Sequence, residues 1–324
     1  MKKIWMPLLL ITLAFVCVEP ADSVVIVGGG PAGLATAIEA RQANVSVTIV
    51  EKRNSYERVQ RLFLLDHSLQ LLERWGVEIP ELSKIEVDGD YIGIVRIAAL
   101  ENALLKRAQE LGVNVIQDEF IDVSPNERVI ILKEAGEMPY DILVAADGVH
   151  SHLRKTLGIE LHLINQGKAG AALIPAADDA SSAVDISPDI QHGNSFIKKF
   201  YFPGIHLLFI QRPYSATQDD FIALCNASGW EYLAKQIAEG RTKLMLDVEV
   251  YLQRAKSFSL KERNALLVGD AAGTGTFLSG LGANYAFKTA EIVGHFFTSH
   301  DFETFEAEIS EATDFLIEGN SAYF

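Results

Sequence analysis

The stretch Val24-Val-Ile-Val-Gly-Gly-Gly-Pro-Ala-Gly-Leu-Ala-Thr-Ala-Ile-Glu-Ala40 decides the fold of this chain. Four branched aliphatic residues in succession are the pattern of a strand buried on both faces. Leu34 to Arg41 has the composition of a helix, so the glycines occupy a strand-to-helix turn. Their spacing is Gly28-x-Gly30-x-x-Gly33. In such a turn the first glycine allows the tight bend, the second lets backbone approach a pyrophosphate, and the third lets helix pack closely on strand. The helix N-terminus then offers its unpaired N–H groups to the phosphates. A second strand follows, Val45-Ser-Val-Thr-Ile-Val50, and ends at Glu51, an acid about 20 residues past the glycines, where a carboxylate accepts the ribose hydroxyls of an adenosine. A glycine turn alone is common in α/β proteins. Strand, helix, second strand and acid in this order predict a dinucleotide site.

Composition narrows the field by exclusion. The chain has 324 residues, 49% of them hydrophobic, enough for one large or two modest domains with a substantial core. Lysine and arginine number 28 against 43 acidic residues, for a net charge of −15. That balance argues against nucleic acid or an anionic surface as partner, so any phosphate site must be local. Cys17 and Cys225 supply neither a disulfide framework nor a zinc cluster, and the chain has no Cys-x-x-Cys dithiol.

Lys2 and Lys3 precede a run without charge from Ile4 to Val18. Its length suits a signal-peptide core and is short of the about 20 residues of a membrane span. Glu19-Pro-Ala-Asp22 offers no small-x-small cleavage site, and bulky Val16 before Cys17 does not fit a lipoprotein. Residues 1–22 are thus expected to be a hydrophobic leader, signal-like or an anchor, with membrane association through residues 4–18. The protein is membrane-associated or exported if the leader functions and cytoplasmic otherwise.

Further along, the periodicity predicts helices over Leu64 to Trp75 and Ala98 to Leu111, with short strands at Val113 to Ile116 and Asp141 to Ala146. Between about 159 and 258 the character changes. Phe196 to Phe202, a Pro-Gly turn and Ile205 to Gln211 form an expected hairpin, followed by helical stretches near 217–239 and two strand-like runs up to Ser257. The dinucleotide character returns at Ala265-Leu-Leu-Val-Gly-Asp-Ala-Ala272, with helices over 280–297 and 301–317. The expected organisation is a Rossmann-like α/β domain, residues 23–158 plus 259–300, interrupted by a smaller mostly β domain, residues 159–258, and closed by a C-terminal helix within 301–324.

Two more motifs follow buried strands: Ala146-Asp147-Gly148-Val-His-Ser151-His-Leu-Arg154 and Gly269-Asp270-Ala-Ala-Gly-Thr-Gly-Thr-Phe-Leu-Ser-Gly280-Leu-Gly282-Ala-Asn284. An acid at a strand's end beside glycines can accept ribose or ribityl hydroxyls, and the Gly280–Asn284 turn can aim backbone N–H groups at a carbonyl. In these motifs the chain resembles the class A flavoprotein monooxygenases, such as para-hydroxybenzoate hydroxylase. Those proteins carry the glycine pattern, an Asp-Gly motif A-D-G-x-x-S-x-x-R and a Gly-Asp motif G-D-A-A-H-x-x-P-P-x-x-G-x-G-x-N. The Asp-Gly motif matches at every fixed position, the Gly-Asp motif in spacing without a gap. The resemblance covers about residues 23–158 and 259–297.

What the resemblance implies is FAD, bound in a glutathione reductase-type domain. Gly28, Gly30, Ala32 and Gly33 would hold the pyrophosphate and Glu51 the adenosine ribose, with Lys52 and Arg53 beside it. Asp270, following Gly269, would take the ribityl or pyrophosphate side, and Gly280, Gly282, Ala283 and Asn284 would run along the isoalloxazine. Asp147, Gly148 and Arg154 belong to a motif linked in the family to FAD and NAD(P)H. Arg58 to Gly76 also looks like the segment of the MICAL-type actin-oxidising monooxygenases in which an arginine touches FAD, which favours Arg58 over Arg61. Arg96 stands where relatives place an Arg or Gln on the cofactor. NAD(P)H would be a transient co-substrate, since one dinucleotide fold is visible. A small aromatic or conjugated substrate and O₂ would be the reactants, through a flavin C4a-hydroperoxide.

Departures from the family stand at Gly273, in place of its histidine, and at Thr276 and Phe277, in place of its prolines. They keep open an FAD-dependent reductase or dehydrogenase on the same scaffold, or a flavin-binding protein without turnover. No catalytic residue is nominated: Tyr201 and His206 read as sheet residues. His150 and His152 lack a third ligand at a recognisable spacing, so no metal is expected. Asp178-Asp179 and Asp219-Asp220 read as solvated or helix-capping acids. Substrate identity, NADH against NADPH and oligomeric state are not fixed by the sequence.

Overall fold

The computed structural model describes residues 22–324 apart from 59, 88, 125, 177–184, 203 and 204. The apolar leader at 4–18, the Asp178-Asp179 pair and the Pro203-Gly204 turn lie outside the described residues. The first run of elements is β1 (Ser23–Val27), α1 (Pro31–Gln42), β2 (Ser46–Glu51), β3 (Arg61–Leu64), α2 (Asp66–Trp75), β4 (Ser83–Val87), β5 (Asp90–Arg96), α3 (Ile97–Glu110), β6 (Asn114–Gln117), β7 (Phe120–Val123), β8 (Val129–Leu132), β9 (Gly136–Pro139), β10 (Ile142–Ala145) and α4 (His152–Thr156). The middle run is β11 (Leu161–Pro175), β12 (Asp185–Ile186), β13 (Ile190–His192), β14 (Ser195–Phe202), β15 (Ile205–Arg212), α5 (Gln218–Ala227), α6 (Glu231–Ala238) and β16 (Lys243–Ala255). The last is β17 (Ser259–Leu260), β18 (Ala265–Leu267), β19 (Gly273–Thr274), α7 (Gly282–Ser299) and α8 (Phe302–Ser321).

The Rossmann-like sheet has six strands in the order β17-β18-β10-β1-β2-β6. From β18 to β6 every pairing is parallel, and β17 adds an antiparallel edge. Val24, Val25, Ile26 and Val27 are each at most 5% exposed, as a central parallel strand covered on both faces requires. The chain leaves β1 for β2 on one side and later returns as β10 on the other. This reversal of direction opens a crevice beyond the carboxyl ends of the strands, where doubly wound sheets bind ligands. The glycine turn, Glu51, Asp147 and Asp270 all follow strands of this sheet at that end.

The middle run builds a seven-stranded sheet in the order β12-β14-β15-β11-β16-β19, with β13 on β14. Ile174, Ile197, Leu208 and Ile210 pack on Phe221, Leu224, Leu233 and Ile237 of α5 and α6. Cys225 is buried there, and burial pushes its thiol up to about 12, which makes it a packing residue rather than a nucleophile. The alternate residues Phe200, Leu207 and Phe209 join Phe63 and Ile94 of the β3-β5-β4 sheet. β14 and β15 pair antiparallel as the expected hairpin. β19, from the Gly-Asp loop, adds itself to the far edge through Gln253↔Thr274 and Arg254↔Gly273.

Two expectations are corrected. Leu64 does not begin a helix: it pairs with Gly93 in a strand, and extended Leu65 separates it from α2. Its apolar neighbours satisfy both periods, and the ladder with β5 chooses. The two runs before Ser257 are one strand, β16, whose ladder shifts between Ala169 and Ala171 opposite Asp247 at φ 62. A bulge reverses side-chain alternation locally, which breaks the pattern a sequence reading relies on. The three-stranded β3-β5-β4 and β7-β8-β9 sheets were not anticipated.

Helix α1 lies on the strand it follows because Gly33 has no side chain: a Cβ there would fall 1.9 Å from the carbonyl oxygen of Gly28. Gly28 itself turns at φ +106. Gly33→Ala is expected to lower the unfolding free energy by about 1–3 kcal/mol, the range for overpacking a tight core. A denaturation midpoint equal to wild type would show that helix and strand separate freely.

Candidate cofactor site

Three loops that are far apart in sequence touch one another. A Cβ on Gly28 would lie 2.4 Å from Ala146 O and 2.9 Å from Asp147 Cα, so the glycine turn and the Asp-Gly motif are in backbone contact. A Cβ on Gly269 would lie 2.6 Å from Ala32 Cβ, which puts the Gly-Asp motif against the first turn of α1. Arg154, 1% exposed, donates from Nη1 to Ala271 O at 2.9 Å and from Nη2 to Val149 O at 3.3 Å. One guanidinium thereby ties the Asp-Gly and Gly-Asp motifs together.

Space remains where a ligand would need it. An added Cβ at Gly30 or at Gly282 would meet nothing within 4 Å. Gly30 caps α1 and Gly282 begins α7, with Ala283 beside it in the first turn. Neither helix start has a side-chain cap or an acid in its first turn. Two helix N-termini with unscreened positive ends suit a pyrophosphate and a polarised carbonyl. Solvent reaches Asp270 from the open side, yet protein surrounds it on the others. Burial pushes its carboxyl up to about 6, against a hydrogen bond from Thr274 and the charge of Arg58. The Thr274 hydroxyl and the Arg58 charge thus offset only part of the effect of burial.

Glu51, 6% exposed, accepts from Gly29 N at 2.8 Å, from Arg53 N at 2.8 Å, and from Arg53 Nη2 at 2.9 Å. Burial alone would raise its carboxyl, but the Arg53 and Gly29 donors outweigh it and hold it below the usual range. Tyr56 donates to Gly29 O at 2.6 Å and lies under the Arg53 guanidinium, 4.8 Å from ring centre. Arg53 and Arg58 share Glu101, which is fully buried in α3. Arg58 thus pairs with Glu101 while its charge also reaches Asp270.

Other residues named from the sequence have different surroundings. Lys52 lines a shallow polar cleft with Gln117, Asp118 and Lys133. Arg96 pairs with Glu81 at the surface, both side chains nearly half exposed. Asp147 accepts from Ser151 Oγ and from the N–H groups of His152 and Leu153, which caps α4 just beyond Gly148. Asn284 is satisfied at both ends: Oδ1 accepts from Leu65 N at 2.8 Å and Ser68 Oγ at 2.6 Å, and Nδ2 donates to Phe63 O at 2.9 Å and Gly280 O at 3.0 Å. It fixes the Gly280 turn against β3. Tyr201 and His206 are a cross-strand pair, and Asp220 completes a capping box with Thr217.

The sequence reading missed Tyr56, Glu101 and a buried triad. Thr276 Oγ1 donates to Gln211 Oε1, and Asn320 Oδ1 accepts from Thr276 N at 2.8 Å; all three are at most 2% exposed. A glutamate on the apolar stripe of α3 was the one available signal, because a charge is fully buried only when paired.

Asp270 makes the cofactor-free fold sensitive to pH. Its carboxyl is raised from 3.8 to about 6, so between those values the folded protein holds more proton than the unfolded chain. Its contribution to stability therefore declines as pH rises through this window and is constant above it. Asp270→Asn should lose less stability than wild type between pH 4.5 and 6.5 in urea unfolding; equal losses would show a carboxyl at its ordinary value.

Residues 22–67, the span of the glycine turn and second strand, match the pyridine nucleotide-disulphide oxidoreductase family. The FAD-dependent monooxygenase OpS4 of Beauveria bassiana is 30% identical over 207 residues, 54% of this chain and 46% of that protein. The human [F-actin]-monooxygenase MICAL2 is 28% identical over 196 residues, 54% of this chain and 10% of that protein. The chain thus spans less than half the length of the curated relatives it matches. The Diels-Alderase PyrE3 superposes with a TM-score of 0.74 at 18% identity, covering 94% of this chain and 73% of that one. The p-nitrophenol 4-monooxygenase PnpA of Pseudomonas putida gives 0.69 at 14%, covering 94% and 88%. In motif, in sequence and in fold, this chain is similar to the FAD-dependent flavoprotein monooxygenases.

Proposed function

We propose that the chain is an FAD-dependent, NAD(P)H-consuming monooxygenase that hydroxylates a small aromatic or conjugated molecule. The observation that carries this reading is the convergence of the three loops around open space. The glycine turn, the Asp-Gly motif and the Gly-Asp motif follow β1, β10 and β18 and touch one another, while the helix starts at Gly30 and Gly282 are open and uncapped. These residues fit FAD. The α1 N-terminus with Gly30 would take the pyrophosphate, Glu51 the adenosine ribose, Asp270 a ribityl hydroxyl and the N–H groups at Gly282 and Ala283 a flavin carbonyl. Once reduced by NAD(P)H, such a cofactor activates O₂ and supplies one oxygen atom to the substrate.

The protein's own part is to bind, orient and exclude water. Arg53 and Arg58, already held by Glu51 and Glu101, need no reorientation when a phosphate arrives. Arg58 also lowers the proton affinity of Asp270 across the crevice. Asn284 keeps the Gly280 turn, with its N–H groups, at a fixed height above β3. The sheet face with Phe200, Leu207 and Phe209 packs on Phe63 and Ile94 and would supply apolar enclosure beside the Gly280 turn. Enclosure of this kind limits access of water to a reactive oxygen-transfer site.

The ionised Asp270 would accept a hydrogen bond from the ribityl hydroxyl, so FAD affinity should fall as pH drops through about 6. Removing a charge-assisted hydrogen bond weakens binding by about 10- to 100-fold, so Asp270→Ala should purify without the yellow colour of wild type. Wild type should oxidise NAD(P)H with O₂, faster with a phenol or indole substrate. Turnover without O₂ would indicate a reductase, and stoichiometric FAD in the variant would remove the role given to Asp270.

A further inference from the structure

The two positions where the family has prolines, Thr276 and Phe277, do opposite things here. Thr276 is buried and anchored: its hydroxyl donates to Gln211 of β15, its N–H to Asn320 of α8 at 2.8 Å, and its carbonyl accepts from Ser279 Oγ at 2.9 Å. Gly275 makes this approach feasible, since a Cβ there would lie 2.4 Å from the Asn320 side chain. Phe277, the next residue, is turned outward and is 41% exposed. Its ring rests on Phe209 at 4.9 Å between centroids. Phe209 contacts Phe200 edge-on at 5.6 Å, and Phe200 stacks on Phe63 at 5.0 Å and 26°. Phe63 in turn stands at the Gly280 turn, where an added Cβ would lie 3.4 Å from its ring.

The four rings therefore run from the turn expected to hold the flavin carbonyl, across the face of the β14–β15 hairpin, back to the Gly-Asp loop. Phe277, at the end of the row, is the most exposed of the four. An exposed phenyl ring has an unfavourable surface in water unless something covers it. A ring backed by another ring and held by an anchored turn loses little freedom when a planar partner stacks on it.

We propose that Phe277 is a specificity-determining residue: its exposed ring stacks on the planar ring of the substrate, with Thr276, Gln211 and Asn320 as the positioning residues that present it. This rests on the function proposed above, and deepens it by assigning selection of planar over puckered rings to one side chain. Aliphatic molecules of equal size can fill the same space, but they forgo the stacking contribution.

The test uses the full chain with its FAD content measured by absorbance, and calorimetric binding of 2-naphthol and of its saturated counterpart decahydro-2-naphthol. Wild type should bind the planar compound more tightly than the saturated one. Phe277→Ala should weaken naphthol by about three- to tenfold more than it weakens decahydronaphthol, the size of one aromatic pair beyond apolar contact. Phe277→Trp should retain the preference, and FAD content should be the same in all three proteins. A colourless wild type would count against the cofactor reading, while calorimetry on the same sample still reads the ring. Equal naphthol binding by wild type and Phe277→Ala, no discrimination by wild type, or a Phe277-dependent self-association in sedimentation would overturn the assignment of Phe277.

Discussion

The crevice exists because three loops meet at backbone distance, and Arg154 is the group that holds two of them together. Its guanidinium is buried, which lowers its affinity for the proton, and the nearby charge of Asp147 works against that loss. A planar fork of donors can satisfy carbonyl oxygens from two separate loops at once, here Ala271 and Val149, as a lysine ammonium cannot in the same geometry. Asp147 holds the other side of the joint by capping α4, the helix that carries Arg154. The spacing of the Asp-Gly motif therefore has a mechanical content. Acid, serine and arginine form one self-supporting turn that locks the Gly-Asp loop under α1, and the open space at Gly30 and Gly282 follows from where that lock places the loops.

Much of this was legible because glycine and acid positions report backbone geometry directly. The buried strand before Gly28, the helix after it and the acid at Glu51 read from residue type alone, since each has a steric or hydrogen-bonding reason to be where it is. The Gly-Asp motif read by spacing. What did not read was set by pairing across the sequence. Leu64 became a strand residue because Gly93 lies opposite it, and a one-dimensional pattern holds no information on that partner. β16 read as two strands because its bulge at Asp247 reverses the alternation of side chains. The hydrogen bonds of Asn284 to Leu65 and Phe63 join residues more than 200 positions apart, so a residue read as running along the cofactor is seen to shape its turn.

Charge tells a related story. A chain of net charge −15 must concentrate positive charge locally if it is to hold a pyrophosphate. Near the end of β2 it places Arg53 and Arg58 together, each paired with a carboxylate. Glu101 receives both guanidinium groups from within α3, and Glu51 receives Arg53 from the end of β2. Removing Glu101 would leave two arginines to repel one another, while removing either arginine would leave a fully buried carboxylate short of a partner. The pairings thus fix side chains that would otherwise lose considerable rotamer freedom on binding, at the expense of part of their positive field.

The Gly-Asp loop shows how a local constraint can be replaced by a distant one. A proline pair restricts a turn through its own rings. Here the same turn carries Thr276 and Phe277, whose intrinsic freedom is larger, and the restriction comes from outside the loop. Gln211 arrives from the seven-stranded sheet and Asn320 from the end of α8, and Gln211 also donates to Tyr323 O at 2.7 Å. Helix α8 therefore does more than cover apolar surface, the role its periodicity suggests. Its last turn supplies one hydrogen-bond acceptor to the buried Thr276, and the sheet supplies the other. The Gly-Asp loop is positioned by two elements that the glycine motifs alone would never associate with it, so the geometry at Phe277 is a property of the whole chain rather than of its fingerprint.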